Sequence, residues 1–191
     1  MNFLAHIFLS GNDEKLMIGN FIADFVKGNK KNDFPTRIKE GIELHRAIDN
    51  YTDHHPITLQ SKRRLYPIHH KYSGVIVDVF YDHFLAKNFA KFSPVSLSLY
   101  TDNCYDKLMK NSSIFPQPIL DFLPFMIERN WLLNYASIEG IDRTLKGIGK
   151  RRPFENKFHV AKNDLLENYS SFEEEFLLFF PQLINFASTS Q

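Results

Sequence analysis

The sequence has little of several features that would assign it to a class. It has one cysteine among 191 residues, Cys104, which excludes an intramolecular disulfide and suits a reducing compartment. No stretch approaches the roughly 18 to 20 apolar residues of a membrane-spanning helix, and the N-terminus lacks the basic segment of a signal peptide. The formal net charge of +1 supplies no overall attraction to nucleic acid or membrane. These absences predict a cytoplasmic protein without a nucleic-acid or membrane partner.

Strand patterns are also scarce, whereas helical periodicity is common. The 19 phenylalanines predict a core rich in aromatic rings. We therefore expect an all-α fold, a single compact multi-helix domain over residues 1–191. Pro124 is expected to kink or split its helix. Helices are predicted over residues 13–26, 36–54, 59–65, 74–92, 96–109, 119–134, 138–148, 156–169 and 171–186.

The predicted helix that ends near residue 54 carries acids on its apolar side. At 100° per residue, His45, Asp49 and Asp53 share one stripe with two isoleucines, while most other charged residues face away from it. Arg46 lies at the edge of this stripe. We expect the stripe to point into the protein.

A second helix, over residues 75–89, repeats the pattern. Asp78 and Asp82 are four residues apart in a segment that is apolar nearly all round, so the helix should be buried. Unpaired buried carboxylates cost several kcal/mol each, and a divalent cation with imidazole ligands would compensate them. His83 points about 100° away from Asp82, so the two can share a site only at a helix junction.

Two further polar residues stand in apolar surroundings. Asp24 lies four residues after Asn20, and His6 lies in the apolar N-terminal stretch. Any one of these residues could be a hydrogen-bonded core residue or a helix cap. The two central helices offer only Arg46 and Lys87 as basic partners, so the set as a whole predicts a shared metal or acid–base site. Oxygen and imidazole ligands without thiolates favour Mn²⁺, Mg²⁺ or Fe²⁺ over structural zinc.

Other features are expected at the surface. We interpret the pair His69–His70 as solvated side chains. The basic runs 62–64 and 150–152 are either plain solvated charge or a docking surface for an acidic or phosphorylated partner. Pro153 and Gly149 are expected to fix a turn that presents the second run.

The order and combination of these motifs resemble the acyl carrier protein phosphodiesterase family, also called ACP hydrolase. The resemblance covers essentially the whole chain. It is carried by residues 2–6 (NFLAH), 19–29 (GNFIADFVKGN), 45–49 (HRAID), Thr52–Asp53, Asp78, 82–85 (DHFL) and 151–153 (RRP).

The resemblance implies an all-helical fold distantly similar to that of HD phosphohydrolases. It also implies a divalent metal, typically manganese, and hydrolysis of the phosphodiester between 4′-phosphopantetheine and the serine of holo-acyl carrier protein. The expected partner is therefore acyl carrier protein, an acidic protein. We predict that it docks through basic residues such as Arg63, Arg64, Arg151 and Arg152.

The matched motifs do not divide the site residues by role, so the division is our own hypothesis. Asp24 would activate water or bind metal, His6 would protonate the departing serine oxygen, and Arg46 would neutralise phosphate charge. The metal ligands would be His45, Asp49, Asp82 and His83, with Asp78 as a further ligand or a support.

Two alternatives stay open at this point. An HD-like phosphohydrolase acting on a small nucleotide or phosphate ester would turn over without a protein partner. A non-enzymatic helical binding module would show neither metal nor activity, but it would have no need of buried carboxylates.

Overall fold

The computed structural model describes residues 1–152 and 155–190, and this part of the chain is built from helices. No strand occurs among the described residues, which confirms the predicted all-α class. Short 3₁₀ turns connect several of the helices, among them Ala23–Phe25 and His70–Tyr72. The α-helices of the described residues are α1 (Phe3–Leu9), α2 (Glu14–Ile22), α3 (Thr36–His54), α4 (Pro56–His69), α5 (Ser73–Lys87), α6 (Leu97–Lys110), α7 (Gln117–Glu128), α8 (Trp131–Asn134), α9 (Ile138–Lys150), α10 (Ala161–Glu167) and α11 (Tyr169–Thr189).

Several helix ends follow from local sequence. The side chains of Asp13, Ser96 and Ser137 accept hydrogen bonds from backbone N–H groups in the first turns of α2, α6 and α9. Helix α3 ends at His54 as predicted, and Pro56 begins α4 because a proline is tolerated in the first turn of a helix.

Some predicted boundaries were wrong. Helix α1 lies in the N-terminal stretch, for which no helix was predicted. Pro124 lies inside α7, and the break comes later, where Asn130 adopts a left-handed conformation with φ 44° between α7 and α8. The turn expected at Pro153 lies outside the described residues.

Helix α5 lies in the centre of the described fold and contacts α1, α4, α9 and α11. Its Phe80 and Phe84 pack against Phe172 and Phe176 of α11, with ring centroids 5.2 Å apart for Phe80–Phe172 and 6.1 Å apart for Phe84–Phe176. These rings are fully buried, which confirms the predicted aromatic core. No helix among the described residues is both long and apolar enough to cross a membrane.

Helices α2 and α3 cross at two glycines, and this crossing positions the polar site. A Cβ at Gly19 would lie 1.9 Å from the Ile38 carbonyl oxygen, and one at Gly41 would lie 2.2 Å from that of Leu16. Because both glycines lack a Cβ, the two backbones approach closely. His45, one turn after Gly41, is thereby brought beside the end of α2.

The prediction for His69 was wrong. Its side chain is buried, and Nε2 lies 2.8 Å from Asp164 Oδ2, while His70 is exposed as expected. The contact between His69 and Asp164 could not be predicted from the sequence, because Asp164 lies on α10, 95 residues further along the chain.

Candidate metal centre

Two buried imidazoles meet where α1 packs near the crossing of α2 and α3. The rings of His6 and His45 stack with centroids 3.8 Å apart and planes inclined by 12°. His45 Nδ1 lies 2.8 Å from the Asn20 carbonyl oxygen. A carbonyl can only accept, so Nδ1 carries a proton, and Nε2 faces the neighbouring acids.

Two carboxylates lie against these imidazoles. Asp49 Oδ2 is 3.2 Å from His45 Nε2, Asp49 Oδ1 is 3.2 Å from His6 Nε2, and Asp24 Oδ1 is 3.3 Å from His45 Nε2. Despite these short distances, His45 Nε2 and both ring nitrogens of His6 make no hydrogen bond to any described residue. Ligand atoms of His6, His45 and Asp49 lie within 4.8 Å of one another, so these three residues form a group that could hold a metal ion.

The donor set fits a divalent cation. It offers imidazole nitrogen and carboxylate oxygen, and its buried nitrogens are not consumed by hydrogen bonds within the described protein. The bond from His45 Nδ1 to the Asn20 carbonyl is the arrangement that orients a metal-binding histidine, with the second ring nitrogen directed at the metal.

The pKa shifts show how charge is arranged in the cluster. Burial lowers the pKa of His6 to about 4, so this imidazole is neutral near pH 7. Burial also acts to lower the pKa of His45, but Asp24 and Asp49 outweigh it and raise that pKa to about 9. Burial would raise the pKa of Asp49, yet the α-amino group of Met1 and the two imidazoles hold it well below its usual range. The cluster therefore stabilises ionised acids and attracts positive charge.

Asp78 of α5 lies beside this cluster. The α-amino nitrogen of Met1 is 3.1 Å from Asp78 Oδ1 and 3.2 Å from Asp49 Oδ1, so the two carboxylates share one cationic group. Burial raises the pKa of Asp78.

The structure does not bring Asp82 and His83 into the cluster. Asp82 is fully buried, and its two oxygens accept hydrogen bonds from the backbone N–H groups of Leu4 and Ala5 at 2.8 and 3.2 Å. Burial raises the pKa of Asp82 to about 7, and the two N–H donors oppose this shift. His83 Nδ1 lies 2.7 Å from the Tyr135 carbonyl oxygen, and Nε2 lies 2.9 Å from the Tyr169 hydroxyl. Both side chains thus use their polar atoms on protein partners.

Two other residues of α3 lie away from the cluster. Arg46 is exposed, and its Nη2 donates to the Val26 carbonyl oxygen at 3.2 Å. The expectation that Asp53 points inward was wrong, because 61% of its side chain is exposed and it pairs with Lys62 at 2.7 Å. Asp53 lies about 80° from His45 on the helical wheel and in the last turn of α3, where the stripe has reached the surface.

The carboxylates open onto a cavity of about 910 Å³. Asp24, Asp49 and Asp78 line one side of it. Aromatic rings and arginines line the rest of the cavity. They come from the Phe25 turn, from α7, α8 and α9, and from the residues that directly follow α7 and α9: Phe25, Phe122, Trp131, Arg129, Arg143, Arg151 and Arg152. The sequence interpretation missed Arg143. Its place on the predicted helix over residues 138–148, eight residues before Arg151, was the available signal.

The four predicted docking arginines lie in different surroundings. Arg151 and Arg152 are exposed and line the cavity. Arg64 makes two hydrogen bonds to Glu175 at 2.6 and 2.8 Å and lies over the ring of Phe172, whereas Arg63 is exposed. Of these four arginines, only Arg151 and Arg152 therefore line the same cavity as the carboxylates of Asp24, Asp49 and Asp78.

Comparison with known proteins gives a consistent result. The family model described as acyl carrier protein phosphodiesterase matches residues 1–183. Proteins named acyl carrier protein phosphodiesterase match over nearly the full length of both chains. The one from Escherichia coli O6:H1 is 31% identical over 190 residues, covering 98% of each chain. The one from Klebsiella pneumoniae strain 342 is 30% identical over 192 residues, covering 100% of each, and the one from Photorhabdus laumondii is 29% identical over 185 residues, covering 96% of this chain and 93% of the relative. No solved structure matches the chain, so the likeness to HD phosphohydrolases stays a prediction.

Proposed function

The chain belongs to the acyl carrier protein phosphodiesterase family, as its motifs predicted, and on that premise we propose that it removes 4′-phosphopantetheine from holo-acyl carrier protein. The products are apo-acyl carrier protein and free 4′-phosphopantetheine. One observation carries the proposal beyond the family match: the cluster of imidazoles and carboxylates adjoins a cavity whose rim carries exposed arginines. Such a site can hold a cation, a phosphodiester and an acidic partner together.

We propose that His6, His45 and Asp49 hold a divalent cation, with Asp24 as a fourth ligand or as the base for the attacking water. The family resemblance implies Mn²⁺, with Mg²⁺ as an alternative, and two imidazoles with a carboxylate would also suit Fe²⁺. A bound cation would supply Lewis-acid polarisation of the phosphoryl group. His6 fits a ligand role better than the role of acid, because burial lowers its pKa to about 4 and leaves it neutral. Asp78 supports the cluster from the α5 side.

The remaining polar residues would position these groups. Asp82 fixes the start of α1 through Leu4 and Ala5, and α1 carries His6. His83 ties α5 to Tyr135 and Tyr169. The charge on the phosphate would be neutralised by a cavity arginine such as Arg129 rather than by Arg46, which faces the Val26 carbonyl.

The carrier would dock at the mouth of the cavity. Exposed Arg151 and Arg152 offer bidentate contacts to the carboxylates of an acidic protein, and Arg63 could add attraction at longer range. Arg64 is already paired with Glu175 and is a weaker candidate. A cytoplasmic location fits this substrate, and we retain it as part of the proposal.

The direct test is to incubate the purified protein with holo-acyl carrier protein and Mn²⁺ and to follow the mass of the carrier. We expect the carrier to lose the mass of its prosthetic group, and EDTA or His45→Ala to prevent the loss. An unchanged carrier mass would overturn the proposal. Turnover of small nucleotides or phosphate esters without any action on the carrier would favour the phosphohydrolase alternative.

A further inference from the structure

We infer that the face of α9 turned toward the cavity is the subsite for the pantetheine arm of the substrate, and that Gly147 sets the room available to the arm. The inference rests on the proposed function. It states where the part of the substrate beyond the phosphate lies, and it names a residue that limits the size of the group that can bind there.

The α9 face is continuous with the carboxylate cluster. From Gly140 to Ile148 it spans eight residues, which is about 12 Å of helix. Asp24 and Asp49 line the same cavity, so a phosphodiester held at the cluster directs its arm into the space beside α9. Arg151 directly follows the helix, and the residues of α9 that line the cavity recur at intervals of one, three and four, as one face of a helix requires: Gly140, Arg143, Thr144, Gly147 and Ile148.

The chemistry of the walls suits this arm. Beyond its phosphate, pantetheine is an uncharged chain with two amides, a hydroxyl and a thiol. The guanidinium groups of Arg143 and Arg151 can donate to amide carbonyls. Thr144 Oγ1 donates to the Gly140 carbonyl at 3.0 Å, which leaves its oxygen lone pairs to accept from an amide N–H. Phe122 and Trp131, stacked with centroids 6.0 Å apart, offer an apolar wall for the methyl and methylene groups.

Gly147 has no structural reason to be a glycine. A Cβ built at Gly147 meets no described atom within 4 Å, whereas one at Gly140 would lie 1.9 Å from the Asn134 carbonyl oxygen. Gly140 is thus required by packing against α8, and Gly147 is not. A glycine inside a helix is unfavourable compared with alanine, so its presence at an open cavity wall indicates that the space serves a ligand.

The test compares the binding of 4′-phosphopantetheine with that of inorganic phosphate by calorimetry in the presence of Mn²⁺. The ratio of the two dissociation constants isolates the contribution of the arm. We expect wild-type protein to bind 4′-phosphopantetheine at least tenfold more tightly than phosphate. Gly147→Phe should bring this ratio close to one while phosphate binding is retained, because the ring fills the arm's space and leaves the cluster intact.

Two variants serve as controls. Gly147→Ala should keep most of the preference and raise the melting temperature, and Glu139→Phe places the same ring at an exposed position of α9 outside the cavity. If Gly147→Phe does not fold, Gly147→Met tests the same space with a flexible side chain. An unchanged ratio in the folded Gly147 variant, or no preference in the wild type, would overturn the inference. If the wild type removes the arm from the carrier and the ratio does not move, the subsite is wrong and the proposed function stands.

Discussion

Asp82 offers the sharpest test of how the site is assembled, because the sequence predicted a metal ligand there and the structure shows a helix cap. Its oxygens satisfy the N–H groups of Leu4 and Ala5 in the first turn of α1, where a helix provides no partners of its own. If Asp82 holds α1, its loss should destabilise the protein and leave the metal ligands in place. If Asp82 binds metal, its loss should abolish metal binding.

The size of the expected effect follows from these two contacts. Each buried N–H left without an acceptor costs about 1–3 kcal/mol, so the loss of both acceptors in Asp82→Ala should lower the free energy of unfolding by about 2–6 kcal/mol. For a chain of this length, 1 kcal/mol corresponds to about 2–4 °C, so the melting temperature should fall by about 10 °C. Asp82→Asn keeps one acceptor oxygen and should lose about half as much.

The assay is thermal unfolding at pH 6 with and without Mn²⁺. Burial raises the pKa of Asp82 to about 7, so at pH 6 the cost of burying an ionised carboxylate does not offset the loss of the two hydrogen bonds. Mn²⁺ at 100 times its dissociation constant should add about 2.7 kcal/mol to the free energy of unfolding. We expect Asp82→Asn to keep this increment and His45→Ala to lose it. If Mn²⁺ no longer raised the melting temperature of a folded Asp82→Asn protein, the capping role would be refuted and Asp82 would be supported as a metal ligand.

Three further predictions concern the same site. His45→Ala should reduce carrier turnover at least 100-fold. Asp53→Ala alters only an exposed ion pair and should change turnover less than about twofold. Equal losses in the two variants would show that the imidazole–carboxylate cluster is not the catalytic site. Asp24 and Asp49 raise the pKa of His45 to about 9, and the Met1 amino group and neutral His6 also face Asp49, so Mn²⁺ held by His45 as proposed would have to displace a proton from it. Titrations between pH 6 and 8 should therefore show Mn²⁺ affinity rising about tenfold per pH unit, and a flat profile would contradict this proton release. A higher salt concentration should raise KM for the carrier, and so should the substitution Arg151→Glu, while hydrolysis of a small phosphodiester should stay nearly unchanged in both cases. Equal effects of Arg151→Glu on both substrates would place Arg151 at the catalytic centre.

The sequence by itself determined the helical class and much of the donor chemistry. The period of 3.6 residues places His45 and Asp49 on one side of a helix wherever that helix packs, so their pairing at 3.2 Å could be predicted. The motifs likewise identified the family, because their order along the chain does not depend on the fold. His6 and Asp24 could be named as candidates, since polar residues in apolar stretches need partners.

Only the tertiary structure decided which candidates meet. Asp82 and His83 fit the same sequence criteria as His45, yet their partners are backbone atoms of Leu4, Ala5 and Tyr135 and the Tyr169 hydroxyl, which lie between 52 and 86 residues away. Helical periodicity fixes the direction of a side chain on its own helix, but it does not contain the angle at which two helices cross. Here that angle depends on the glycine contact between α2 and α3, and the cavity beside it depends on where α9 packs against α5. The division of acids between the candidate metal cluster and a helix cap is therefore a property of packing, which no single segment encodes.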